Sequence, residues 1–302
     1  MTMPSERMNP FLRSSNTTAR IMTDVVIALV PAIVFSVWWN GIYSLAVILM
    51  CCLVCCGCDW LCDVISGRGS TYGAMVTGVL LGLTLTGTTP LWAAALASAF
   101  AIVVGKQIFG GLGSNIVNPA LIGRTFLMLC YPSMLSTFTG ANAVVDGVTS
   151  ATVLAAPQGT YTYAQMFLGT IPGTLGETSK LLLLAGFCYL LYRREVNGMV
   201  SLVYIATVTA VTTMFGYDPL TTLLGGGLIL GGCFMLTDYV SVGIRGKLFT
   251  AFFAGLVTSF IRVYCSMPEG VCFGILTANC LMGLLVFAEK KKHVYGVRQE
   301  EG

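Results

Sequence analysis

Apolar residues in this chain come in long blocks rather than in alternation. The runs "DVVIALVPAIVFSVWW" and "GIYSLAVILMCCLVCC" hold a single charge, Asp24, and approach the ~20 residues that carry a helix across hydrocarbon. Read between their polar breaks, the blocks predict ten spans at about 21–39, 42–58, 72–88, 90–106, 119–135, 179–193, 198–215, 219–236, 247–264 and 270–288. The third ("YGAMVTGVLLGLTLTG") and the eighth ("LLGGGLILGGCFMLTD") are rich in glycine. In lipid each backbone polar group must be satisfied within the protein, so the spans are expected to be helices. The pattern predicts an all-α polytopic membrane protein.

Basic residues between the spans give a direction, because they accumulate on the cytoplasmic side. With the N-terminus inside, 14 of the 16 basic residues fall inside and only Lys180 and Arg262 fall outside. Moving the count by one span destroys that asymmetry. The expected organisation is a cytoplasmic segment 1–20, a first five-helix repeat 21–136, an external loop 137–178, a second repeat 179–288 and a cytoplasmic tail 289–302. "GVLLGLTLTG" from Gly78 aligns with "GLILGGCFML" from Gly227, which sets Gly82 over Gly231. Each is the third span of five, and an odd number of spans inverts the second copy. Two inverted five-helix repeats with glycine-interrupted helices form a transporter-like architecture. Chance likeness between glycine-rich helices is the plainer alternative.

Composition agrees. Of 302 residues 56% are hydrophobic and 10% charged, against about 25% charged in soluble domains. The first twenty residues hold Arg7, Arg13 and Arg20 without an apolar run, so no signal peptide is expected. Lys290, Lys291 and Lys292 in the tail suit contact with anionic membrane lipid. Nothing points to nucleic acid.

Candidate chemistry is sparse. In "CCLVCCGCDWLC", Cys51, Cys55, Cys58 and Cys62 form one helical stripe, which suits helix packing better than a converging iron–sulfur ligand set. His293 is the one histidine and lies in the tail, so no metal site is expected. Asp24, Asp59, Asp63, Asp218 and Asp238 all fall near predicted span ends, and no distinctive sodium or proton site is visible.

Two segments stand out. In "FGGLGSNIVNPALIGR", Asn118 before Pro119 reads as N-cap and first helical residue. Capping leaves Asn115 and the Gly110, Gly111 and Gly113 set unexplained, and glycines also let backbone approach a planar polar ligand closely. "LTDYVSVGIRGK", with Asp238, is expected on the same face. In the external loop, "VVDGVTSATVLAAP" carries three hydroxyls, Thr149, Ser150 and Thr152, close behind Asp146 and Gly147. These read either as turn and capping hydroxyls or as an attachment site, where a threonine oxygen tethers a cofactor through its phosphate.

"DGVTSAT" resembles the signature recognised by flavin transferases, and "GGLGSNIVNPALIGR" resembles the segment before the fifth span in the NqrB/RnfD family of membrane subunits. The order of elements is similar too, over residues 20–290. The resemblance implies covalent FMN on Thr152, within the motif Asp146, Gly147, Thr149, Ser150 and Ala151. It also implies a noncovalent riboflavin near Asn115, Asn118 and Asp238. The short N-terminus leans toward the RnfD type, a membrane subunit of a ferredoxin:NAD+ oxidoreductase that couples electron transfer to Na+ or H+ transport. The implied partners are a flavin-carrying RnfG-type subunit, membrane subunits of RnfA/RnfE type, cytoplasmic subunits of RnfB/RnfC type and a flavin transferase. A rival class is an inverted-repeat channel without a redox role, which has no reason to keep "DGVTSAT". An NqrB-like subunit of a quinone reductase is the nearer alternative.

Overall fold

The computed structural model describes residues 18–66, 73–111, 117–136, 161–177, 179–236, 244–265 and 270–284, and every regular element among them is helical. Helix α1 (Thr18–Asn40) turns at Gly41, whose φ of +89° needs a glycine, into α2 (Ile42–Ser66). Helix α3 (Gly73–Thr84) is followed by α4 (Leu91–Ile102), which continues as a π-helical turn, Val103–Gln107. Next come α5 (Pro119–Cys130), α6 (Pro132–Ser136), α7 (Tyr163–Leu168), a 3-10 turn Leu175–Glu177 and α8 (Lys180–Tyr192). The chain closes with α9 (Gly198–Met214), α10 (Pro219–Leu224), α11 (Leu228–Leu230) with its π-helical turn Gly231–Met235, α12 (Ile244–Tyr264) and α13 (Gly270–Leu284).

Among the described residues, Ala19–Asn40, Ile42–Ser66 and Gly246–Tyr264 are long and apolar enough to cross a membrane, and six shorter helices are also apolar. The outer surface matches: Trp38 is 73% exposed, Leu53 70% and Leu129 70%. Apolar surface of that extent belongs against lipid rather than water.

Small residues bring the helices together. A Cβ on Gly78 would lie 2.7 Å from the Cys52 Cα of α2, and one on Gly82 would lie 3.1 Å from the Ile48 Cα. The glycines of the third span therefore serve contact with α2. In the same way Gly123 of α5 sits against the Ala97 carbonyl of α4, and Gly186 of α8 sits against the Ala28 carbonyl of α1. Helix α2 also packs on α4, and α9 on α12. Close approach through small residues is how helices gain packing energy where lipid is as apolar as their side chains. Cys51 and Cys55 lie in these seams, with Cys55 Sγ 3.8 Å from the Ser98 carbonyl, and all twelve cysteines are free.

Two helices are interrupted. The third span ends its helix at Thr84, and the Leu175 N–H then bonds to the Leu85 carbonyl at 2.9 Å. The eighth span breaks at Gly225–Gly227, between α10 and α11. Arg262 of α12 fills that break, donating to the carbonyls of Thr222 at 3.2 Å and Gly225 at 3.4 Å. Helix α2 runs eight residues beyond the predicted end at 58, because Asp59 and Asp63 find polar partners inside the protein.

Candidate functional site

Of the residues expected to bind or carry a flavin, Asn118 lies among the described residues. Asn115, Asp238, Thr152 and the motif residues Asp146, Gly147, Thr149, Ser150 and Ala151 lie outside them.

Asn118 is 4% exposed and does two jobs with one amide. Its Oδ1 accepts from the N–H of Ala120 at 3.0 Å and of Leu121 at 3.4 Å, capping α5, while Pro119 needs no partner at the first helical position. Its Nδ2 donates to the carbonyl of Met235 at 3.3 Å. Met235 ends a helix, where carbonyls lack intrahelical partners. The start of α5 is thereby tied to the end of the α11 π-turn. With both polar ends of the amide engaged, Asn118 is suited to position a pocket rather than to contact a ligand through that amide.

Gly110 and Gly111 take φ values of +108° and +93°, and their N–H groups bond to the carbonyls of Gln107 and Lys106, each at 3.1 Å. They terminate the preceding helix in the manner of a left-handed cap. That accounts for two of the three glycines; Gly113 lies outside the described residues.

Beside this cap is a buried charged group whose pairing the sequence did not show, Asp59 and Asp63 reading only as charges near a span end. Lys106 Nζ donates to Asp59 Oδ2 at 2.8 Å, with both side chains buried. Gln107 Nε2 donates to Asp59 Oδ1 at 2.7 Å and to Asp63 Oδ1 at 3.4 Å. The available signal was the i, i+4 spacing of Asp59 and Asp63, which puts both on one helix face.

A second group joins α1 to α8. Arg193 donates to Asp24 Oδ2 from Nε at 3.1 Å and from Nη2 at 2.7 Å, and the Tyr189 hydroxyl donates to Asp24 Oδ1 at 3.0 Å. Glu195, on the α8–α9 connection, lies against the same carboxylate. It also lines a cleft of about 390 Å3 with Arg194, Asn197, Leu236, Lys247 and Thr250. Burial first, and then the Asp24 carboxyl, push Glu195 up from 4.5 to about 7, while Arg193 and Arg20 pull it down.

The NQR2, RnfD, RnfE family model matches residues 6–295. This chain belongs to that family. Membership covers nearly all of it, and agrees with the apolar helices in making it a multi-pass membrane protein. Among curated relatives, the chain is 35% identical over 301 residues to the D subunit of the Na+-translocating ferredoxin:NAD+ oxidoreductase complex of Acetobacterium woodii, covering 96% of this chain and 94% of that protein. It is 36% identical over 304 residues to the D subunit of the proton-translocating ferredoxin:NAD+ oxidoreductase complex of Clostridium ljungdahlii, covering 92% of each. It is 37% identical over 270 residues to the B subunit of the Na+-translocating NADH-quinone reductase of Chromohalobacter salexigens, covering 81% of this chain and 66% of that protein.

Proposed function

We propose that the chain is the D-type membrane subunit of an ion-translocating ferredoxin:NAD+ oxidoreductase and carries FMN on Thr152. The observation that carries this reading is a full-length likeness to two such subunits in a chain that also keeps "DGVTSAT" at 146–152. The quinone reductase relative supports a second reading, a B-type subunit, but aligns with 81% of this chain against 96% and 92%.

In this proposal the threonine oxygen holds the flavin phosphate and leaves the ring free to accept and pass electrons, which is the chemistry FMN supplies. The protein contributes attachment and placement. Asn118 contributes by linking two chain segments: Asn115 lies three residues before it, and Asp238 three residues after its partner Met235. A riboflavin held between those segments would rest on backbone and on Asn115 and Asp238, with Asn118 fixing the frame. Other subunits of the complex handle NAD+ and ferredoxin.

The proposed topology is ten spans in two inverted halves with both termini cytoplasmic and the loop 137–178 outside. Packing supports it: the first helix of each half pairs with the other, α1 on α8, and second packs on fourth in each half, α2 on α4 and α9 on α12. On that topology the polar groups at Asn118, Lys106, Arg193 and Glu195 all belong to the cytoplasmic end.

The deciding experiment is in-gel fluorescence of the denatured protein, with adduct mapping by mass spectrometry. Thr152→Ala is expected to abolish the signal and electron flow to the acceptor, while Thr149→Ala and Ser150→Ala retain at least part of it. An adduct on Thr149, or an active complex with no adduct, overturns the assignment.

A further inference from the structure

One buried titratable group has no part in the electron-transfer reading. Asp24 is 5% exposed, and both its oxygens are taken: Arg193 spends two forked donors on Oδ2, and Tyr189 donates to Oδ1. Glu195 closes on this same carboxylate from the α8–α9 connection. Both Glu195 oxygens are buried, and neither meets a donor among the described residues. Asn197 nearby has turned its oxygen to the Met199 N–H as the α9 cap.

The charge count is the difficulty. Two carboxylates and one guanidinium in contact leave one negative charge without a partner, and like charges at that range cannot both stay ionised cheaply. The groups facing Glu195 are Asp24 and Arg20 of α1, Tyr189 of α8, Arg193 just beyond it, and, around the cleft, Arg194 of the α8–α9 connection and Lys247 of α12. Arg193 is committed to Asp24, and Arg20 is exposed, where water weakens its pull. A proton on Glu195 resolves both problems at once. It removes the surplus charge and gives one Glu195 oxygen a partner, because its O–H donates to Asp24.

We propose that Asp24 and Glu195 form a one-proton binding site that joins α1 to the α8–α9 connection and exchanges with water through the cleft beside Arg194 and Lys247. Uptake converts the Glu195 carboxylate and a proton from water into a carboxylic acid; release returns that proton to water, and no oxidant or reductant takes part. The site sits at the end of the seam where Gly186 presses on the Ala28 carbonyl. Protonated, the dyad bridges the two halves of the chain. Deprotonated, two carboxylates face each other across the same seam. The upward displacement of Glu195, set first by burial and then by the Asp24 carboxyl, accords with this.

The site does not depend on the flavin reading, and the test keeps them apart. Infrared difference spectra of the intact complex in nanodiscs, between mildly acidic and mildly alkaline buffer, should show a carboxylic C=O band that appears in acid and shifts in D2O. Glu195→Gln should lose that band, Asp24→Asn should shift it, and Thr152→Ala should leave it in place. Glu195→Asp, which keeps a titratable group at another reach, should move its midpoint, and it carries the test if Glu195→Gln fails to assemble. Spectra of Glu195→Gln or Glu195→Asp identical to wild type overturn the proposal.

Discussion

Asn118 reaches from the first turn of α5 to the carbonyl of Met235 at 3.3 Å, across 117 positions of sequence. One buried amide therefore caps a helix and ties the two halves of the chain together. The two tasks separate under substitution, because a serine can cap but cannot reach as a donor.

Asn118→Ser should keep the α5 cap and lose the tie, while Asn118→Ala should lose both. The cap is worth about 1 kcal/mol and an unmet buried carbonyl costs about 1–3 kcal/mol. Thermal midpoints of the purified protein should therefore fall in the order wild type, serine, alanine. Acid-extractable riboflavin should drop in both variants while covalent FMN remains. A wild-type protein that yields no extractable flavin would reduce the pocket to helix capping.

Lys106→Met should be strongly destabilising, because it leaves Asp59 charged and buried without its cation. Breaking such a pair by removing one partner costs about 3–5 kcal/mol, whereas replacing both members is often neutral. Lys106→Met with Asp59→Leu should recover most of the loss. A double-mutant cycle on detergent-solubilised protein measures the coupling, and additive losses would show that the pair is not coupled.

Gly186→Ala should loosen the contact between α1 and α8, since its methyl meets the backbone carbonyl of Ala28, which cannot rotate away. Overpacking of this kind costs about 1–3 kcal/mol. Gly57→Ala is the control: among the described residues nothing lies within 4 Å of a Cβ there, and alanine gains helix propensity. Equal thermal midpoints for the two variants would remove the close-packed seam from the account.

Topology is checked with single cysteines in a background free of reactive thiols. A membrane-impermeant reagent should label Ala143→Cys in intact cells and miss Gly296→Cys. The reverse pattern would end the proposed orientation, and with it the external position of Thr152.

Much of the helical fold was legible because lipid imposes it. Apolar runs met helices near their expected starts, from Pro119 of α5 to Gly270 of α13. The interruptions were harder to read. The eighth span breaks at Gly225–Gly227 and the third ends its helix at Thr84, yet Gly78 and Gly82 lie within the helix and seat α2, because a missing Cβ serves either purpose. Asn118 was readable as a cap from the proline after it, whereas its bond to Met235 needed the tertiary fold. Asp59 and Asp63 read from sequence as span-end charges, since composition alone cannot tell a solvated carboxylate from one paired within a seam. Glu195 gave no local signal, because its neighbour Asp24 lies 171 positions away on the chain.

The π-helical turn at Val103–Gln107 also clocks the end of α4. One extra residue in a turn rotates everything beyond it by about 100° without changing what the helix is made of. At Lys106 and Gln107 that rotation takes a helix whose earlier turns bear Trp92 and Leu96 outward and aims its last polar side chains inward at α2. Deleting a single residue there would leave the hydropathy profile untouched and swing the lysine away from Asp59. The turn at Gly231–Met235 sets the angular position of the carbonyl that Asn118 meets. Each acts as a phase shift between a helix body fitted to lipid and a helix end fitted to polar contacts, invisible to any measure of composition and fatal to lose.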